Sequence, residues 1–358
     1  MIKDRLTRVV NKMIEEGLRQ ILVSDPVSIS YLTAVSIDPG ERLFALLVKE
    51  DGKHEFFINH LFPAPITDIP ITSFDDTDDS IALLANALIK DATLAIDKVW
   101  PARFLLPLQA KEGIGTCVLS DIIDLVRAIK DEAEKEEMRI ASKINDEAMK
   151  KTAKYAKLGM TEIELADFLR QTYLDLGCEG PSFEPIVAFG EHAADPHHEN
   201  SARTLKAGDV VLLDIGGRLG DYCSDMTRTY FTLEPSKKQV EVYELVRAAN
   251  EAAIKAVKPG VALKDIDKAA RDIISKGGYG KEFTHRLGHF IGREVHEYGD
   301  VSSVSELVAT PGMIFSIEPG IYLPGEFGVR IEDLVIVTED GCENLNAVSK
   351  DIQILDIN

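Results

Sequence analysis

Carboxylates and imidazoles recur beside apolar runs in three stretches of this chain, and these are the residues whose spacing could do chemistry. In the first stretch, VVLLDIGGRLGDYCSDMTRTYF, Asp214 closes one apolar run and Asp225 opens another. Gly216, Gly217 and Gly220 lie between them. A hairpin turning at Leu219-Gly220 would set Asp214 opposite Asp225. Like charges facing each other across a hairpin are destabilising, and a cation between them removes that objection. The bland alternative is a pair of exposed loop aspartates. The place of Asp214, directly ending a buried-looking VVLL run, speaks against it.

The second stretch, THRLGHFIGREVHE, carries His285, His289 and His296, interleaved with Gly288 and Gly292. One such histidine would read as an ordinary core residue. Three close together, with glycines that let backbone approach a site, point to a ligand. The third stretch is GMIFSIEPGIYLPGEFGVRIEDLVIV. Pro319 restrains Glu318 to extended geometry, and a hairpin centred on Gly325 would pair Glu318 with Glu332. Four carboxylates and an imidazole suit Mn, Co, Fe or Zn in a shared site rather than a thiolate zinc site.

The elements that must position these residues divide the chain in two. Residues 1–125 alternate helix and strand, which predicts a compact α/β domain. Asp51-Gly52 marks a hairpin between Leu43–Val48 and His54–Ile58. The acidic run Asp75–Ser80 reads as a helix N-terminus rather than a metal site. Residues 126–358 predict an α+β domain. One long charged helix runs from near Asp121 to Leu158-Gly159, and another starts at Thr161 with Glu164 as a capping box. Strands are expected around 183–189, 209–216 and 225–232, then helices over Ser236–Val257 and Leu263–Lys276, with strands again after Met313.

Composition narrows the partners. The formal net charge of −20 argues against nucleic acid or an anionic membrane, both of which need basic surface. No run of about 18 apolar residues offers a membrane span. The first residues, MIKDRLTRVVNKMIEEGL, form an amphipathic pattern rather than a signal peptide. Four scattered cysteines without a C-x-x-C pair suggest neither a disulfide framework nor a zinc knuckle. With no signal, they predict the cytoplasm.

Asp214 and Asp225 with ten residues between them, then His289, then Ile317-Glu318-Pro319-Gly320, then Arg330-Ile331-Glu332-Asp333, resemble a known motif set. It is that of the methionine aminopeptidase, aminopeptidase P and prolidase superfamily, the pita-bread metallopeptidases. The N-terminal α/β domain resembles that of creatinase, prolidase and aminopeptidase P, and argues against methionine aminopeptidase. Creatinase itself works without metals and lacks this ligand set.

The resemblance implies two divalent metal ions, with Mn ahead of Co, Zn and Fe. Asp214 would bind one, His289 and Glu318 the other, and Asp225 and Glu332 would bridge both. Glu318 would also shuttle a proton, and His296 would stabilise the oxyanion. His197, in DPHH, matches an active-site histidine preceded by proline. His285 and Arg330 match substrate-binding positions. The implied activity is hydrolysis of the Xaa-Pro bond at the N-terminus of dipeptides or short peptides, by a cytoplasmic homodimer. A broader aminopeptidase and a catalytically silent peptide-binding protein are the rival readings. Two departures bear on substrate size: Phe290 stands where many relatives have glycine, and Tyr298-Gly299-Asp300 replaces a proline-containing run.

Overall fold

The computed structural model describes residues 2–357. It comprises two compact units, Met1–Arg127 and Ala128–Asn358, so the division falls within the helix Ile122–Ala128 rather than at 125/126.

The first unit is a six-stranded sheet. Its order is Ile71–Phe74, Glu55–Asn59, Phe44–Lys49, Gln20–Val23, Leu94–Ile96, Cys117–Leu119. Side chains alternate across it as strand geometry requires. Ile21, Val23, Leu46 and Val48 enter one apolar cluster with Val9 and Met13 of the first helix. Leu22, Ala45 and Leu47 enter another with Leu84 and Leu108. Both faces are therefore covered by helices, the arrangement of an α/β layer fold. The expected hairpin is present, with Phe44 opposite Ile58. Asp79 caps the helix Ser80–Ala87 by accepting from Ala82 N.

The second unit is α+β. The expected single charged helix is two, Ile122–Ala128 at the end of the first unit and Glu132–Tyr155 in the second. The interruption has a local cause: Asp131 and Glu134 form a reciprocal capping box that starts a new helix. Thr161 and Glu164 form the expected box ahead of the helix Glu162–Asp175. The helices Lys237–Ala256 and Leu263–Lys276 lie where the periodicity put them.

The strand Val210–Ile215 shows how the two helix pairs sandwich the sheets. Val210 and Leu212 pack with Val242, Val246 and Leu263. Val211 and Leu213 pack with Met149, Leu165 and Leu169. Asp214 falls on the face of Leu212 by the same period of two.

The first hairpin corrects the expected register. Asp214 lies opposite Thr227, not Asp225. The turn sits at Gly220-Asp221, between paired Leu219 and Tyr222. Gly220 has φ +56, the positive value that two-residue hairpin turns favour. The shift is an even number of residues, so Asp225 stays on the face of Thr227 and becomes the diagonal neighbour of Asp214.

The third stretch pairs as expected. Ile317 faces Asp333 in one ladder and Gly320 faces Arg330 in the next. Glu318 and Glu332 occupy the break between the two ladders. They belong to a five-stranded sheet and a two-stranded ribbon that share this hairpin.

Candidate metal centre

The donors sit at strand ends. Asp225 immediately precedes the strand Met226–Phe231, Glu318 follows Ile314–Ile317, and Glu332 precedes Asp333–Val337. His289 lies on Gly288–Phe290, which pairs with Ile314–Ile317. A bulge between His289 and Phe290 breaks the register to the neighbouring strand Glu297–Val301, and bulges of this kind re-aim side chains. Gly288 permits the close approach. A Cβ there would lie 1.8 Å from the Ser316 carbonyl oxygen.

All nine residues singled out in the sequence line one cavity of about 490 Å³. Within it, Asp225, His289 and Glu332 each offer a ligand atom within 4.8 Å of the others'. His289 Nε2 is 3.5 Å from Asp225 Oδ2, 3.5 Å from Glu318 Oε1 and 4.0 Å from Glu332 Oε1. Its Nδ1 faces the Phe290 carbonyl oxygen at 3.2 Å. That contact puts the ring proton on Nδ1 and leaves the Nε2 lone pair toward the carboxylates. Asp214 stands beside this group, joined to Arg330 Nη2.

The polar accounting tests whether a cation fits. Asp214 Oδ1, Asp225 Oδ1 and Glu332 Oε1 are buried without a hydrogen-bond partner among the described residues. A buried, unsatisfied carboxylate oxygen is costly, and divalent cations would satisfy all three. The donor set therefore fits the metal that the motifs imply.

The carboxylates show the corresponding strain in their proton affinities. Burial, reinforced by Asp214, raises the pKa of Asp225 well above the ordinary carboxylate range. Burial and then Asp225 do the same to Glu332. Glu318 is pushed up to about 7, chiefly by burial, with His289 and Arg330 opposing. His285 and His296 are both lowered to about 4, burial again coming first. Each is then a neutral imidazole at pH 7.

Three residues that hold the cavity's lining groups escaped the sequence reading. Thr227 Oγ1 donates to Glu332 Oε2 at 2.7 Å, and Ser316 Oγ donates to Glu318 Oε1 at 3.1 Å. Each lies two residues from a site carboxylate on its own chain segment, so strand alternation was the signal that could have found them. Tyr322 is the third. Its hydroxyl meets His285 Nε2 and Arg330 Nη1, both at 2.8 Å.

The expected substrate-binding pair spends its polar atoms on the protein. His285 Nδ1 is 2.7 Å from the Arg286 carbonyl oxygen, and its Nε2 faces Tyr322. Arg330 donates to Thr227, Tyr322, Asp214 and the Pro196 carbonyl oxygen. By contrast, His197 and His296 are exposed at the cavity wall. His296 sits edge-on to His289, with ring centroids 4.3 Å apart. Phe290, the residue that raised a question about substrate size, is fully buried and packs on Phe315 in the core.

A carboxylate-rich hydrolase centre in an α+β unit, preceded by an α/β unit, is the class this fold and site define. Comparison with known proteins gives the family. Residues 136–339 match metallopeptidase family M24, and residues 5–129 match the creatinase/prolidase N-terminal domain. An uncharacterised peptidase of Staphylococcus aureus (strain USA300) is 38% identical over 354 residues, covering 97% of this chain and 99% of its own. A dipeptidase from Pyrococcus horikoshii OT3 superposes with a TM-score of 0.91 at 36% identity, over 98% of this chain and 100% of that one. The prolidase from the same organism gives 0.89 at 31% identity, over 98% and 99%. The chain belongs to metallopeptidase family M24 and carries the pita-bread fold of these peptidases behind a creatinase-type N-terminal domain.

Proposed function

We propose that this metallopeptidase hydrolyses the bond before proline in dipeptides and short peptides. The observation that carries the reading is the cavity holding His289 among four carboxylates, three with unsatisfied buried oxygens. The likeness to a prolidase along nearly the whole chain directs it toward proline. Asp214, Asp225, His289, Glu318 and Glu332 would hold two divalent ions. Their hard, oxygen-rich donor set favours Mn ahead of Co, Zn and Fe. Bound divalent ions supply Lewis acidity, lowering the pKa of water toward neutrality and polarising a carbonyl.

The chain's own residues do the rest. Glu318, beside His289 in the cavity, accepts the proton of the attacking water and delivers it to the departing nitrogen. An Xaa-Pro bond is a tertiary amide, so its nitrogen carries no hydrogen and leaves poorly unless protonated. His296 donates to the oxygen on which negative charge develops. His197, exposed on the same cavity, contacts the peptide. His285 and Arg330 act from within the wall. Arg330 holds Asp214 as its counter-charge, and His285 fixes the Tyr322 hydroxyl that Arg330 also uses.

The setting is read as cytoplasmic. All four cysteines are free, in keeping with a reducing compartment. No helix among the described residues is long and apolar enough to cross a membrane. The working unit is read as a homodimer, on the family resemblance.

The deciding experiment compares kcat/KM for Ala-Pro, Ala-Pro-Ala and their Xaa-Ala counterparts with Mn, Co or Zn restored to stripped enzyme. Proline substrates should be favoured by roughly tenfold or more, because an extra amide N–H left unpaired in the site costs about 1–3 kcal/mol. Equal values would leave the metallopeptidase and remove its proline preference.

A further inference from the structure

Glu162 is fully buried at the first position of the helix Glu162–Asp175 and is not among the residues lining the cavity. Its Oε1 accepts from Phe189 N at 2.9 Å and faces His192 Nδ1 at 2.9 Å. Its Oε2 accepts from Ser201 N at 3.0 Å and Ser201 Oγ at 2.6 Å, and faces His198 Nε2 at 2.8 Å. These five groups come from both ends and the crest of one loop, 189–201. The backbone ties it further: Ile163 N donates to the Ser201 carbonyl oxygen. His198 is the chain neighbour of His197, the residue that the loop presents to the catalytic cavity.

Glu162, His192 and His198 lie close enough together to hold a metal, but their chemistry is the opposite of the catalytic centre's. A carboxylate has about four lone-pair sites, and five groups already converge on this one. No oxygen is left over, whereas Asp214, Asp225 and Glu332 each keep one. Burial by itself would raise the pKa of Glu162. The hydrogen bonds from Ser201, His198, Phe189 and His192 outweigh it and hold the group below its ordinary value. The group is a charged anchor for a loop.

We propose that Glu162 is a positioning residue that sets His197 against the bound peptide by fixing the loop 189–201 through His192, His198 and Ser201. The proposal rests on the reading of His197 as a substrate-contacting group. Gln at this position keeps the shape but turns an NH2 toward groups that themselves donate, so the loop can no longer be held at every point. Misplacement by about 1 Å can cost on the order of a hundredfold in rate.

The test is a double-mutant cycle on the metal-replete enzyme with Ala-Pro as substrate. Glu162→Gln should lower kcat/KM by roughly ten- to a hundredfold with bound metal unchanged. In a His197→Ala background the same substitution should cost less than about twofold, because the group it positions is gone. Ser201→Ala, which removes a single donor and is milder for folding, should show a smaller loss with the same dependence on His197. Losses that multiply undiminished in the His197→Ala background would overturn the proposal, since they describe a structural role alone. A His197→Ala enzyme as fast as its parent would remove His197 from the reaction, and the positioning role with it; that failure is visible in the single variant.

Discussion

At the scale of the residue, Glu318 is the group asked to do two things. It lies 3.5 Å from His289 Nε2, within the candidate ligand cluster, and in metal-free protein its pKa is raised because burial outweighs His289 and Arg330. Gln at this position keeps one carbonyl oxygen for a metal and cannot carry the proton. Glu318→Gln should therefore bind metal and Xaa-Pro substrate nearly as the parent does, while kcat falls on the order of 10²–10⁴-fold. Metal analysis beside steady-state kinetics reads both. Near-parental turnover in metal-replete Glu318→Gln would reject the proton-transfer role.

At the scale of the element, the hairpin Ile314–Val337 holds two of the five proposed ligands and is itself held from behind. Arg228 Nη2 donates to Asp333 Oδ1 at 2.7 Å, and Lys350 Nζ donates to Asp333 Oδ2 at 2.8 Å. Lys350 also reaches Asn250, whose amide donates to the Ile317 carbonyl oxygen. Ile317 and Asp333 are the residues next to Glu318 and Glu332, so this buried network fixes the backbone from which both carboxylates project. Asp333 is fully buried, and Arg228 is 1% exposed. Removing one partner of such a pair strands a buried charge, which costs about 3–5 kcal/mol. Asp333→Ala should lower stability by that amount in denaturant unfolding and weaken metal binding along with it. Unfolding at the parental midpoint would show that the network does not carry the hairpin.

At the scale of the whole molecule, the site couples metal, protons and stability. In metal-free protein Glu318 has a folded-state pKa of about 7 against an ordinary 4.5, and Asp225 and Glu332 shift the same way. A raised folded-state pKa means that the folded protein binds the proton more tightly than the unfolded chain does. The stabilisation is complete below the unfolded value, near pH 4, and is lost as pH rises through about 7. Apo protein should thus lose thermal stability from this site between about pH 5 and 8. Metal replaces those protons, so the gap in Tm between holo and chelated protein should widen over the same window. A hundredfold excess of metal over its Kd corresponds to about 2.7 kcal/mol. A gap that is constant or narrows from pH 5 to 8, with metal loss verified, would contradict this coupling.

The sequence by itself determined the local elements and the ligand types. The capping box at Thr161 placed one helix, since a side chain three residues from its partner needs no distant contact to act. The hairpin about Gly325 was legible too: Pro324-Gly325 marks the turn between paired Leu323 and Phe327, and the turn sets the register. The hairpin between Asp214 and Asp225 was not. Gly216, Gly217 and Gly220 offered several turn centres, and the chosen one moved Asp225 from opposite Asp214 to its diagonal. The error left the carboxylates on one face because it was an even shift. Only the tertiary structure decided the rest. It brought strand ends from separate sheets to one cavity and turned His285 and Arg330 into the wall through Tyr322. It also buried Phe290 in the core and bound the His197 loop to Glu162 across 27 to 39 residues of chain. Those contacts depend on how layers pack, and nothing within a few residues of each side chain encodes which distant group it will meet.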